Sequence, residues 1–409
     1  MLHVIASHQS RPSDDPIFAL NREATQRKEK GEAIVNATVG ALLDDEGKLA
    51  VLPTAARVVH DVPSAEWAAY APIAGMPAFL QAVIEDLLGK EPSLRNTAVA
   101  AATPGGTGAL RHAIANFLEP GQALLTTSFH WGPYQTLADE ADRRVETFEM
   151  FTSGEASSRV IDLGALDRAL ERQIASQGRV LLFVNDPCHN PTGYSMRRDE
   201  WNQLAQCVEK HAARAPVTLL VDCAYMAYGE GDPRAFLAEL VPLVGKAVVL
   251  FAWSASKAFT HYGLRVGALV ACVGDEKERK STEAALSYSC RGTWSNCTRG
   301  GQVAIARLLA DQDLRAACDG ERAKLKAMLR ARVDAFNKLA RPSPAQPKGL
   351  SYPRYDGGFF VTVFHDRAHE KANAMKERGV FVVPQEGALR VALCSVAERD
   401  VPRLVEALG

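Results

Sequence analysis

The chain lacks closely spaced cysteines. Its eight cysteines, Cys188, Cys207, Cys223, Cys272, Cys290, Cys297, Cys318 and Cys394, form no Cys-x-x-Cys pair, and the nearest two stand seven residues apart. Neither a metal site nor a disulfide framework is therefore expected. In surroundings such as GALVACVG, Cys272 reads as a small core hydrophobe, and reduced thiols in a cytoplasm are the expected state. An excess of one charge is also missing: 47 Lys and Arg stand against 48 Asp and Glu, so nothing draws the chain to nucleic acid or a membrane surface. No apolar run is long enough to span a bilayer. MLHVIASHQSRPSDD has no basic region leading into an apolar core, so no secretory signal is expected. Internal repeats and low-complexity blocks are absent as well.

What is present is ordinary soluble composition over 409 residues, enough for two sizeable domains. VLLFVN (180–185), VTLLVD (217–222), AVVLFAWS (247–254) and VGALVACV (266–273) read as buried strands. Between the first two, 196–213 carries apolar residues at helical spacing. Strand, helix, strand at this rhythm predicts a mostly parallel α/β sheet covered on both faces. Asn185 and Asp186 follow the first run, Asp222 ends the second, and Ser254 to Lys257 end the third. Ligands of open α/β sheets bind beyond the carboxyl ends of strands, so these three ends predict one shared site.

The last third changes character. A charged helical stretch (313–340) leads to RPSPAQPKG (341–349), expected to be a hinge, and then to the strand-like runs GGFFVTVF (357–364) and GVFVVPQ (379–385) around a helix. We expect an N-terminal segment (1–45) joining a small α+β domain (313–409), with a large domain at 46–312.

Four segments carry candidate chemistry. In SASKAFTHYGLRVG (254–267), a lysine just past a buried strand is placed to be partly desolvated and to act as an amine nucleophile, with Ser254, Ser256 and Arg265 as partners for a phosphate. VDCAYMAYG (221–229) sets Asp222 at a strand end with Tyr225 beside it, and NDPCHNPTG (185–193) is a rigid turn presenting Asn190. TPGGTGALRHAIANFL (103–118) is a glycine-rich turn opening a helix, whose first N–H groups with Thr107 form an anion cradle. Each alone is weak: strand-end aspartates usually cap or turn, and glycine turns are common.

In order and spacing the four resemble class I pyridoxal-phosphate-dependent aminotransferases, in the aspartate and aromatic aminotransferase branch, over roughly Val39 to Val391. The resemblance implies a seven-stranded, mostly parallel sheet and pyridoxal phosphate (PLP) as cofactor. It makes Lys257 the Schiff-base lysine and general base, Asp222 the partner of the pyridine nitrogen, and Asn190 and Tyr225 contacts of the ring oxygen. Gly106, Thr107, Ser254, Ser256 and Arg265 would hold the phosphate, and Trp131 would stack on the ring. Tyr70 would reach the phosphate of a neighbouring subunit, implying a homodimer with shared active sites. Arg390 would grip the substrate α-carboxylate beside Gly40, and Arg291 would read a distal carboxylate across the dimer. The expected reaction moves an amino group from an L-amino acid, aspartate or glutamate first, to a 2-oxo acid. Aromatic substrates and a PLP-dependent β-lyase are the alternatives, and a non-catalytic regulator is the distant third. Three positions depart from the family: Tyr134 stands where a histidine often supports the aspartate, and Cys297 and Thr298 stand where aspartate enzymes carry prolines.

Overall fold

The computed structural model describes residues 3–12, 14–342 and 349–409. The chain forms two compact units, one of Ala50–Met328 with Pro353–Gly358 and one of Met1–Leu49, Leu329–Tyr352 and Phe359–Gly409. Of the expected hinge, residues 343–348 lie outside the described residues.

A seven-stranded sheet organises the first unit. Its strands are β1 (Ala98–Pro104), β2 (Ala123–Thr127), β3 (Arg144–Phe148), β4 (Val180–Asn185), β5 (Val217–Asp222), β6 (Val248–Ser254) and β7 (Val266–Cys272). They lie in the order β1-β7-β6-β5-β4-β2-β3. Only β7 runs against its neighbours, and the other pairings are parallel, as the α/β expectation required. β4 to β7 are buried from end to end. Alternate residues supply two separate cores: Leu182, Leu219 and Phe251 join one, while Phe183, Leu220 and Leu250 join the other. With helices on both faces, no side of the strand is left for water, and the sequence reads as an unbroken apolar run.

Register then fixes which side chains share an edge. Asn185 pairs with Asp222, and Asp222 with Ala252; Ser254 pairs with Gly267, and Gly267 with Thr103. Because β7 is reversed, its first residue lies at the edge where β1 and β6 end, and Arg265 precedes it there. The carboxyl ends of four strands and the amino end of a fifth therefore converge.

The second unit is α+β, as expected. Val383–Gln385, Ala388–Val391 and Val361–Phe364 form an antiparallel sheet with Ala388–Val391 in the middle, and Val35–Asn36 pairs in parallel with Val380–Phe381. The single run expected over 379–385 is thus two short strands broken at Val382, each pairing in a different sheet. The run expected from 357 becomes a strand only at Val361. Gly358 sits at φ +92°, and a Cβ there would lie 2.6 Å from Cys188 Cβ, so this stretch is spent on a close turn.

Candidate active site

Lys257 stands on the one-turn helix Ala255–Ala258 that follows β6. Ser254 caps this turn, its Oγ accepting from the Ser256 N–H at 3.2 Å. Lys257 Nζ lies 4.6 Å from the Tyr262 ring centroid and 5.7 Å from that of Tyr225. These faces favour the cation while keeping much water away.

Asp222 ends β5 and is 5% exposed. Its Oδ2 accepts from Tyr134 Oη at 2.8 Å and its Oδ1 from the Ala224 N–H at 3.1 Å. Burial pushes its pKa up, and these two donors with the charge of Lys257 oppose the rise. Asn185 ties the neighbouring strand end to the loop after it. Its amide donates to the Asp222 carbonyl at 2.8 Å, and its Oδ1 accepts from the Asn190 N–H at 2.7 Å. Asn190 Nδ2 in turn donates to Tyr225 Oη at 3.3 Å. The other amide atom, Oδ1, is buried without a hydrogen-bond partner among the described residues. A buried polar atom left open in this way marks a place for a ligand atom.

The glycine-rich turn closes the other side. It starts helix α1 (Gly105–Phe117), whose N-cap, Pro104, offers no side-chain acceptor. The first-turn N–H groups, including those of Gly106 and Thr107, are left for an anion. Arg265 Nη1 donates to Ser256 Oγ at 3.3 Å and Nη2 to the Pro104 carbonyl at 3.4 Å. Arg265 itself holds φ +55°, a conformation costing about 1–3 kcal/mol and typical of functional positions. Gly105 lies at φ +70°, where a Cβ would meet Arg265 Nη2 at 2.5 Å, and a Cβ on Gly267 would lie 2.4 Å from the Gly105 carbonyl carbon. The cradle thus depends on two bare backbones in contact. Gly267→Ala is expected to cost about 2–4 kcal/mol, seen as a lower urea midpoint; an unchanged midpoint would show that the turn gives way freely.

Lys257, Asp222, Tyr225, Asn190, Ser254, Ser256, Arg265, Gly106 and Thr107 therefore gather at one sheet edge. Trp131 is half-buried beside them, edge-on to Tyr134 with centroids 5.8 Å apart. The two residues expected to serve a neighbouring subunit's site lie outside this cluster. Tyr70 is 86% exposed, and Arg291 is exposed, with Nη1 donating to Ser295 Oγ at 2.7 Å. Gly40 and Arg390 belong to the other unit, where both meet Phe360. A Cβ on Gly40 would lie 2.5 Å from Phe360 Cζ, and the Arg390 guanidinium is 5.0 Å from the ring centroid. The buried Arg390 also donates to the Thr38 carbonyl.

Sequence reading missed the tasks of three residues. Asn185 reads in sequence only as a polar strand end, yet it fixes the turn carrying Asn190. Tyr262, five residues past Lys257, has no sequence signal of its own. Tyr134 reads as a departure from the family, whereas its hydroxyl donates directly to Asp222.

A family model for aminotransferases of class I and II matches residues 32–408. The chain belongs to that family. It is 27% identical over 408 residues to an aromatic-amino-acid aminotransferase of Paracoccus denitrificans, covering 96% of each chain. It is 28% identical over 408 residues, again 96% of each, to the aspartate aminotransferase of Escherichia coli strain K12. The crystal structure of an aminotransferase from Anaerococcus prevotii superposes with a TM-score of 0.92 at 33% identity, over 100% of this chain and 98% of that one. Among the described residues of this aminotransferase-family chain, no helix is long and apolar enough to cross a membrane.

Histidine burial makes the chain acid-sensitive. Desolvation pushes His112 and His261 down to about 4, and His189, in the turn carrying Asn190, to about 3. The unfolded chain takes up these protons from about pH 6.5 downward, while the folded chain refuses them until about 4 or 3. The stability is therefore present above about 6.5 and lost as pH falls, at about 1.4 kcal/mol per unit per group. Asp186, raised to about 7 by burial, and Asp222, also raised by burial, act in the opposite sense but are outnumbered by these three histidines and His130, which burial lowers too. The urea midpoint should fall between about pH 7 and 5; a rise would contradict these assignments.

Proposed function

We propose that this protein is a PLP-dependent aminotransferase that moves an amino group from an L-amino acid, aspartate or glutamate first, to a 2-oxo acid. The observation that carries the reading is Lys257 at the end of β6, sharing one sheet edge with a buried carboxylate, an open amide and an anion cradle. The residues fit the cofactor. Asp222 is a buried carboxylate whose hydrogen-bond donors are neutral, so a cationic ring nitrogen would relieve its burial cost. The open acceptor of Asn190, its Oδ1, suits the proton of a phenolic hydroxyl, and the hydroxyl of Tyr225 suits its oxygen. Arg265, Ser254, Ser256, Thr107 and the N–H of Gly106 suit a phosphate.

When bound, PLP supplies an electron-withdrawing ring that makes the α-proton of an amino acid removable. Lys257 Nζ holds the cofactor and then carries the proton from the substrate α-carbon. Asp222 keeps the ring nitrogen protonated. Arg390 clamps the α-carboxylate as a planar fork, fixing the angle for proton transfer. Arg291 favours dicarboxylic substrates: its hydrogen bond goes to a neutral hydroxyl, and among the described residues it forms no salt bridge, so its charge is available to a carboxylate.

We also infer a cytoplasmic homodimer with shared sites. Trp67, Tyr70 and Tyr288 stand 63%, 86% and 83% exposed, and burial of large aromatics of this kind is what a subunit interface supplies.

The test is a half-reaction. Purified holoenzyme is mixed with L-aspartate, L-phenylalanine or L-alanine, without an acceptor, while its visible absorbance is followed. Conversion should be far faster with aspartate. Preference for phenylalanine would replace the dicarboxylic assignment with the aromatic one, and pyruvate with ammonia formed continuously from an amino acid that carries a β leaving group, such as S-methyl-L-cysteine, would mean a lyase.

A further inference from the structure

We propose that Tyr134 is a positioning residue for this reaction, its hydroxyl keeping the Asp222 carboxylate oriented and ionised for the cofactor's ring nitrogen. The inference rests on the aminotransferase reading above and concerns a position where this chain departs from the family.

Tyr134 lies in the first turn of the helix Pro133–Asp139 and is 1% exposed. Its ring is boxed by Phe183 at 5.3 Å and Trp131 at 5.8 Å, both edge-on, and by His130 at 6.1 Å, nearly parallel. That box leaves the hydroxyl one direction, toward Asp222 Oδ2 at 2.8 Å. An ionised carboxylate can only accept, so the phenol must be the donor. The Ala224 N–H on Oδ1 is the other donor to the carboxylate. Hydrogen bonds to a buried anion lower its basicity, so Tyr134 holds the shared proton on the ring side rather than on Asp222.

The other titratable groups facing this pair are Lys257 and Tyr225, and His130 across the ring. Lys257 supports the ionised carboxylate, whereas burial keeps His130 low and neutral. Burial and the adjacent carboxylate push Tyr134 well above the ordinary range. A phenol so placed donates unchanged across the pH range in which an imidazole in its place would titrate. This chain therefore has a donor to Asp222 whose strength does not vary with pH near neutrality.

The experiment compares holoenzymes of the wild type, Y134F and Y134H. For each, the pH midpoint of the visible band is titrated between about pH 5 and 9, alongside cofactor content, thermal midpoint and half-reaction constants. In Y134F, Asp222 becomes the stronger base and takes more of the shared proton. The ring then draws less charge from the nitrogen of Lys257. We expect the band midpoint to move upward by roughly half a unit or more, and the half-reaction rate to fall about 10-fold with KM nearly unchanged. Y134H restores a donor, so its midpoint should return toward wild type, while its rate gains a titration near neutrality that the wild type lacks. Wild-type midpoint and rate in Y134F would overturn the proposal. So would a rate that falls only in step with cofactor content and thermal midpoint. If Y134F does not fold, a Y134H rate profile without the added titration overturns it instead. A wild-type protein with no visible band in the presence of PLP would defeat the underlying aminotransferase reading; an unmoved Y134F midpoint with a normal wild-type band defeats this proposal alone.

Discussion

Lys257→Ala is expected to fold normally and to lose the half-reaction by about 10⁴-fold, with no covalent attachment of the cofactor. The two parts of this expectation have separate causes. Lys257 is half-buried on a one-turn helix, and its ammonium lies against the faces of Tyr262 and Tyr225. Such contacts contribute about 1 kcal/mol, so truncation leaves the sheet and its two cores intact. The chemistry has no such reserve: Lys257 is the one lysine of the Ala255–Ala258 turn that follows β6. Circular dichroism should match the wild type while single-turnover absorbance stays flat. A variant that turns over at the wild-type rate with cofactor bound would remove Lys257 from the mechanism.

Asp222→Asn should lower the half-reaction rate by about 100- to 1,000-fold while leaving the cofactor-free protein as stable as the wild type or more so. The geometry makes this substitution informative. An asparagine in the same rotamer keeps its Oδ1 on the Ala224 N–H, and its Nδ2 can donate to Tyr134 Oη, the hydroxyl simply rotating to accept. No hydrogen bond is lost, and only the charge goes. Because burial raises the pKa of Asp222, the ionised carboxylate is a strained guest in the cofactor-free protein, and removing its charge relieves that cost. Stability and activity should therefore move in opposite directions, as expected of a group kept for function. Unfolding midpoints of the cofactor-free proteins, set beside single-turnover rates, test this. A large loss of stability in D222N would make Asp222 a structural residue first.

Much of this architecture was legible because strands consecutive in sequence lie side by side, so the polar residues that end them land at adjacent strand ends. Asn185, Asp222 and Ser254 each terminate an apolar run, and in a parallel sheet those termini share an edge. The reversed direction of β7 was not legible, since a strand buried on both faces gives the same apolar run whichever way it points. Yet that reversal is what brings Arg265 to the cradle. The break at Val382 was hidden for a related reason: VFVVP is equally apolar on both sides of the switch between sheets. Pro353–Gly358 groups with the first unit although it follows part of the second, because contacts such as that of Gly358 with Cys188 depend on distant chain. Tyr134 is the clearest case at the site. In sequence it reads only as a departure from the family's histidine, and the 2.8 Å contact with Asp222 is what carries the role we propose for it.

Lys257 as the amine that holds pyridoxal phosphate is the assignment on which the proposed reaction depends. Its most direct test is reduction of the holoenzyme with borohydride, followed by proteolysis and mass spectrometry of every lysine-containing peptide. We expect a pyridoxyl group on the peptide carrying Lys257, and loss of that label when an amino acid substrate is added before the reductant. A label on another lysine, or none on a protein that still transaminates, would contradict it.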